Sequence, residues 1–190
     1  MKPPLYILAG GTSRRFGSDK ARAEYRGEPL VVHVANALAA ATTAPVIVAD
    51  RPGRYEDLGT PTIGDRTPGR GPLGGLDRAF TDLAERHPGK QWLLLVSCDF
   101  VDPDPAWVAS LVSHRDGVVA VAFRGSSGWE PLFTLYHAAV HDEVRTRLSD
   151  EKRSLQGLLD GIAAASLPTP STFRHVSTPA ELRESALRPR

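Results

Sequence analysis

The 190 residues give room for one domain with a core of its own and too little for an ordinary two-domain enzyme. Its 23 basic and 22 acidic residues leave a formal net charge of +1, which excludes both a broad basic footprint for nucleic acid and an acidic tail, so an anionic partner must be met by local charge. With 41% apolar residues the composition is globular, no apolar run reaches the roughly 18 residues of a membrane span, and a single cysteine, Cys98, excludes an intrachain disulfide framework. The start, Met1-Lys2-Pro3-Pro4, leads into too few apolar residues for a secretory signal, so a cytoplasmic protein with a small-molecule partner, no nucleic acid and no membrane is expected.

Four apolar runs without polar alternation, at 5–8, 45–48, 92–96 and 118–123, read as strands buried on both faces. Between them, helical spacing of apolar residues covers 30–41, 73–83 and 105–112. Buried strands alternating with helices imply a mainly parallel sheet with helices on each side, a single three-layer αβα Rossmann-like domain over 1–190. Farther on the alternation weakens: a Gly125-Ser126-Ser127-Gly128 turn, an apolar stretch at 131–136, and helices at 138–148 and 154–162. Thr178, Pro179 and Glu181 carry the capping-box pattern of a last short helix, beyond which 188–190 should fray.

Chemistry concentrates after the first strand, in the run LAGGTSRRFGSDKA at 8–21. Its glycines let backbone amides turn inward as an anion nest, and Arg14, Arg15 and Lys20 add three positive charges, which suits a triphosphate. The spacing fits neither a Walker A loop nor G-x-G-x-x-G, and a basic loop without a ligand is the alternative on these residues alone. Asp99 follows the third apolar run, where open α/β sheets place ligands, and a lone carboxylate with phosphate oxygens suits Mg²⁺; an Asp there also serves as a simple turn former. Cys98 reads as a small buried residue. His137 and His141 are spaced i, i+4 on an expected helix, but no Glu follows the first and no third zinc ligand is near.

The run at 8–21, with Gly-Glu-Pro-Leu at 27–30, resembles the signature of the molybdenum cofactor guanylyltransferases and their nucleotidyltransferase relatives. Gly10, Gly11, Ser13, Arg15, Gly17, Asp19 and Lys20 fall on the family pattern, and Phe16 stands where Met is usual. Gly64-Asp65, Gly71-Pro72-Leu73-Gly74-Gly75-Leu76 and Cys98-Asp99 resemble later motifs of the family. The resemblance implies nucleotide binding by Leu8, Ala9, Gly10, Gly11, Lys20, Asp65, Gly71, Pro72, Leu73 and Gly74, catalysis by Arg15, Lys20 and Asp99, and Mg²⁺ on Asp99.

The implied reaction transfers GMP from GTP to the molybdopterin cofactor with release of pyrophosphate, and leaves room for transient contact with a cofactor carrier or an acceptor enzyme. A related cytidylyltransferase, a sugar-phosphate nucleotidyltransferase and a non-catalytic GTP-binding module stay open as alternatives. Residues 130–136 and Arg153 resemble acceptor-side segments, although Arg153 reads equally as a solvated helix-start residue. One departure stands out: the family's late Asn-x-Asn-Thr-Pro is here His175-Val176-Ser177-Thr178-Pro179.

Overall fold

In the computed structural model, which describes residues 1–10, 16–43, 45–65 and 69–188, the apolar runs form strands β1 (Leu5–Leu8), β4 (Val46–Ala49), β6 (Trp92–Ser97) and β7 (Ala120–Gly125). A small antiparallel pair, β2 (Glu24–Tyr25) and β3 (Glu28–Pro29), follows the first loop; β5 (Thr62–Gly64), β8 (Gly128–His137) and β9 (Ala164–Pro168) complete the strands. Helices α1 (Leu30–Leu38), α2 (Gly71–Arg86), α3 (Pro105–Ser113), α4 (His141–Ser149), α5 (Leu155–Gly161) and α6 (Pro179–Ala186) lie between and after them.

Seven strands form one sheet in the order β5-β4-β1-β6-β8-β7-β9, with β8 the antiparallel member. Alternate residues of each central strand feed opposite faces. Leu5, Ile7, Leu94 and Val96 pack against α1 and α3 through Val31, Val34, Leu38, Trp107 and Leu111. Tyr6, Leu93 and Leu95 pack against α2, α4 and α5 through Leu73, Leu76, Phe80, Val144 and Leu158. This two-sided burial makes the strands uniformly apolar and gives the three-layer αβα arrangement.

The expected 131–136 stretch is the centre of a longer strand, and its bulge matters for the site. Ala122 pairs with Thr134 but Arg124 pairs with Trp129, so 130–133 bulge out of the β7 ladder. Pro131, which has no N–H to give, sits in that bulge, and the freed carbonyls of Glu130 and Pro131 accept from Thr134 Oγ1 at 2.9 Å and Tyr136 Oη at 3.1 Å. Ser126 and Ser127 form the two-residue link of the β7–β8 hairpin between paired Gly125 and Gly128, the latter at φ +109°.

The helix expected at 138–148 is shorter. His137 ends β8, its Nδ1 accepting from the Ala139 N–H at 3.1 Å, and α4 begins only at His141 after a 3-10 turn. The two histidines therefore share no helix face, and His141 instead pairs with Asp77 of α2 at 2.9 Å. At the chain's end Thr178 caps α6 by accepting from the Glu181 N–H at 3.2 Å; the Glu181 carboxylate accepts in return from the Ser177 N–H at 2.6 Å. The Arg188 N–H bonds back to Ser185 O at 3.3 Å, and 189–190 lie outside the described residues.

Candidate active site

The chain runs from β1 to β4 and β5 on one side, then returns to place β6 on the other side of β1. That reversal opens a crevice at the carboxyl ends of the strands, where doubly wound sheets bind ligands. Here a cavity of about 580 Å³ is lined by Leu8, Ala9 and Gly10 after β1, Ala49 and Asp50 after β4, Asp65 after β5, and Ser97, Cys98 and Asp99 at the end of β6. Asp19, Lys20 and Ala21 close one side, Gly69, Gly71, Pro72 and Gly75 the other, and the β8 bulge adds Leu132.

Lys20 and Asp99, 79 residues apart, meet on its lining. The Lys20 ammonium lies 3.2 Å from Asp99 Oδ2 and donates to the Val176 carbonyl at 2.9 Å. The contact with Asp99 uses one carboxylate oxygen, Oδ2, of a side chain that lines the cavity. Cys98, beside it, is buried, and burial together with the Asp99 charge pushes its thiol up to about 12, which leaves it a packing residue and no nucleophile.

The glycines fall into two groups. A Cβ on Gly10 would lie 2.8 Å from the Asp50 nitrogen, one on Gly74 2.7 Å from Arg70 Cβ, and one on Gly75 2.7 Å from Leu8 Cδ2, so these three let the loops and α2 press against the strand ends. Gly71 differs: its φ of +66° needs glycine, and nothing fills the space where its Cβ would be. Pro72 takes an early position of α2, where its missing N–H costs nothing.

Leu8, Ala9, Gly10, Lys20, Asp65, Gly71, Pro72 and Asp99 thus come together around the cavity. Leu73 of α2 is fully buried in the core, and neither it nor Gly74 lines the cavity. Gly11 and Arg15 lie outside the described residues.

The Arg153 guanidinium donates to the Gly69 carbonyl at 3.2 Å and Arg70 donates to the Leu148 carbonyl at 2.6 Å, which ties the segment before α2 to the α4–α5 connection. Burial raises the Glu130 pKa against the opposing influence of His175. Neither His175 nor Ser177 lines the cavity, yet their segment borders it, since Val176 N–H donates to Asp99 O at 2.9 Å and Phe100 bridges His175.

Three contributors escape sequence reading. Arg54 and Tyr55, in the connection from β4 to β5, hold the Asp19 carboxylate at 2.8 and 3.0 Å, and the Val176 carbonyl reaches Lys20 across 156 residues. Nothing in their local sequence marks them.

The sequence model of the MobA-like NTP transferase domain family matches residues 5–167. The chain belongs to the MobA-like NTP transferase family. Among its relatives, a probable molybdenum cofactor guanylyltransferase of Deinococcus radiodurans is 36% identical over 192 residues, covering 94% of this chain and 91% of that one. Another from Synechococcus elongatus is 32% identical over 85% and 86% of the two chains. The solved molybdopterin-guanine dinucleotide biosynthesis protein A of Archaeoglobus fulgidus shares the fold of this MobA-like chain with a TM-score of 0.79 at 20% identity, covering 98% and 97%. A CMP:2-keto-3-deoxy-manno-octonic acid synthetase complexed with CTP gives 0.73 at 15% identity over 98% and 97%, so the MobA-like fold by itself does not fix the base.

Proposed function

We propose that this MobA-like protein is a molybdenum cofactor guanylyltransferase that transfers GMP from GTP to the molybdopterin cofactor and releases pyrophosphate. The observation that carries this reading is the meeting of Lys20 and Asp99 in the crevice beside β1, in a chain 36% identical to a relative of that name. The acceptor phosphate oxygen attacks the α-phosphorus of GTP, the bond to the bridging oxygen of the β-phosphate breaks, and the electron pair leaves on pyrophosphate. That acceptor is already ionised, so no strong general base is needed, and catalysis rests on positioning and charge.

Lys20, held by Asp99 and the Val176 carbonyl, faces the negative charge that develops on the leaving group. The loops around Gly10 and Gly71 bring backbone against the nucleotide. Arg15 belongs to the same proposal from its place in the loop motif. Asp99 would hold Mg²⁺: it is a hard carboxylate at a strand end, facing the cavity, of the kind that ion prefers. When bound, the ion supplies charge neutralisation across the phosphates. The described residues include no group of three or more His, Cys, Asp or Glu side chains placed to hold a metal.

Among the described residues no helix is long and apolar enough to cross a membrane, and we place the reaction in the cytoplasm. Contact with a cofactor carrier or acceptor enzyme belongs to this reading. The test is pyrophosphate release with each of the four nucleoside triphosphates, with and without the molybdopterin acceptor. Release with GTP and only in the presence of acceptor is expected. Equal release with CTP would reassign the base, and GTP binding without release would leave a binding module.

A further inference from the structure

Asp19 lies one residue before Lys20, lines the cavity, and has a side chain only 25% exposed. Its Oδ1 accepts from the Ala21 N–H at 3.2 Å, which caps the 3-10 turn Lys20–Arg22 and sets the direction in which Lys20 leaves the backbone. The other partners of that carboxylate come from one distant segment. Tyr55 Oη stands 3.0 Å from both carboxylate oxygens, and Arg54 Nη2 lies 2.8 Å from Oδ2 while its Nη1 holds Asp50 at 2.7 Å.

Tyr55 is fully buried, and the guanidinium groups of Arg22 and Arg54 lie over its ring at 5.2 and 5.3 Å. Burial, and then the Asp19 charge, push its hydroxyl well above the ordinary tyrosine range, so it stays a proton donor to Asp19. Arg22 closes the arrangement by donating to the Arg54 carbonyl and to Asp57, each at 2.8 Å. A turn of three residues, too short to hold a fixed geometry alone, is therefore locked from outside by polar bonds to a single loop.

We propose that Tyr55 and Arg54 are positioning residues for the transfer reaction: they fix Asp19, and through the turn that Asp19 caps they hold the Lys20 ammonium where charge develops on the leaving pyrophosphate. This rests on the transferase reading and on the part given there to Lys20. If the chain of contacts is Tyr55 to Asp19 to Lys20, removing the Tyr55 hydroxyl lowers kcat and leaves KM for GTP nearly unchanged, because the interaction matters most in the transition state.

The experiment is a double-mutant cycle in pyrophosphate release from GTP, with acceptor and Mg²⁺, using K20A, Y55F and the pair, with thermal melts of each. Y55F keeps the ring and its packing. We expect K20A to be slow, Y55F to lose about tenfold in kcat with KM for GTP changed by less than about twofold, and Y55F to cost nothing further once Lys20 is absent. Should Y55F not fold, R54K serves in its place, since an ammonium cannot bridge Asp19 and Asp50 as the guanidinium does. Wild-type kcat in Y55F, or the same fold-loss with and without Lys20, would overturn the inference and leave the loop a structural brace. Wild-type turnover in K20A would instead remove the role of Lys20 itself, and the inference would fall with that reading.

Discussion

Asp99 contributes to the fold and to the site through different atoms. Its carbonyl accepts from Val176 N–H and so joins the C-terminal segment to the end of β6, whereas its carboxylate faces the cavity and touches Lys20. Substitution by alanine keeps the first contact and removes the second. The ion pair opens onto the cavity with side chains 15% and 23% exposed, so its loss costs no more than a hydrogen bond between charged groups, about 2 kcal/mol. Asp99→Ala should therefore keep its urea unfolding midpoint within that margin while losing turnover by orders of magnitude. Pyrophosphate release at several magnesium concentrations checks this; near wild-type turnover with an unchanged magnesium requirement would place the metal elsewhere.

Among the elements, the β2–β3 hairpin is held less by its own four residues than by a polar cluster beneath it. His33 of α1 is buried with Nδ1 3.0 Å from Glu28 and Nε2 3.1 Å from Asp102; Tyr25 donates to Asp102 at 2.7 Å, and Arg26 lies 3.2 Å from it. Burial alone would raise the Asp102 pKa, but the Tyr25 hydroxyl, Arg26 and His33 outweigh it and hold the carboxyl below its usual range. A depressed folded-state pKa means stability that is present above the ordinary carboxylate value of about 4 and lost as pH falls through the lower folded value.

Asp102→Asn should thus be less stable by about 1–2 kcal/mol at neutral pH, with the gap closing below pH ~4; urea midpoints across that range check it, and a gap that stays constant would exclude the linkage. The cluster is not legible in sequence, because the carboxylate that joins Tyr25, Arg26 and His33 lies 69 residues beyond His33. The same reason hides β5 and β9: Thr-Ile-Gly and Ala-Ala-Ser-Leu-Pro carry no strand pattern of their own and are strands because β4 and β7 offer them edges. The central strands β1, β4 and β6 were readable since burial on both faces leaves an apolar run that needs no partner to be recognised.

At the scale of the whole molecule, the site is assembled from the start, middle and end of the chain, and only its loop motifs and strand-end Asp announce themselves locally. The last contributor is the segment after the matched domain. Val176 and Leu182 bury themselves with Phe16, Tyr25, Leu30 and Val101 in a small third cluster, and this docking sets the Val176 carbonyl against Lys20. Leu182 does not line the cavity, so its truncation tests whether the packing of α6 is felt at the site. Leu182→Ala should cost about 2–3 kcal/mol, the lower range for a Leu cavity, since the cluster is small and lies near the surface. Leu83→Ala, near the far end of α2 in the other core, should cost a similar amount or more. Compared at a temperature where both remain folded, only Leu182→Ala should lower kcat, because it alone loosens the strand of chain that holds the Lys20 ammonium. Equal kcat in the two variants would mean that the C-terminal segment stabilises the protein without shaping its active site.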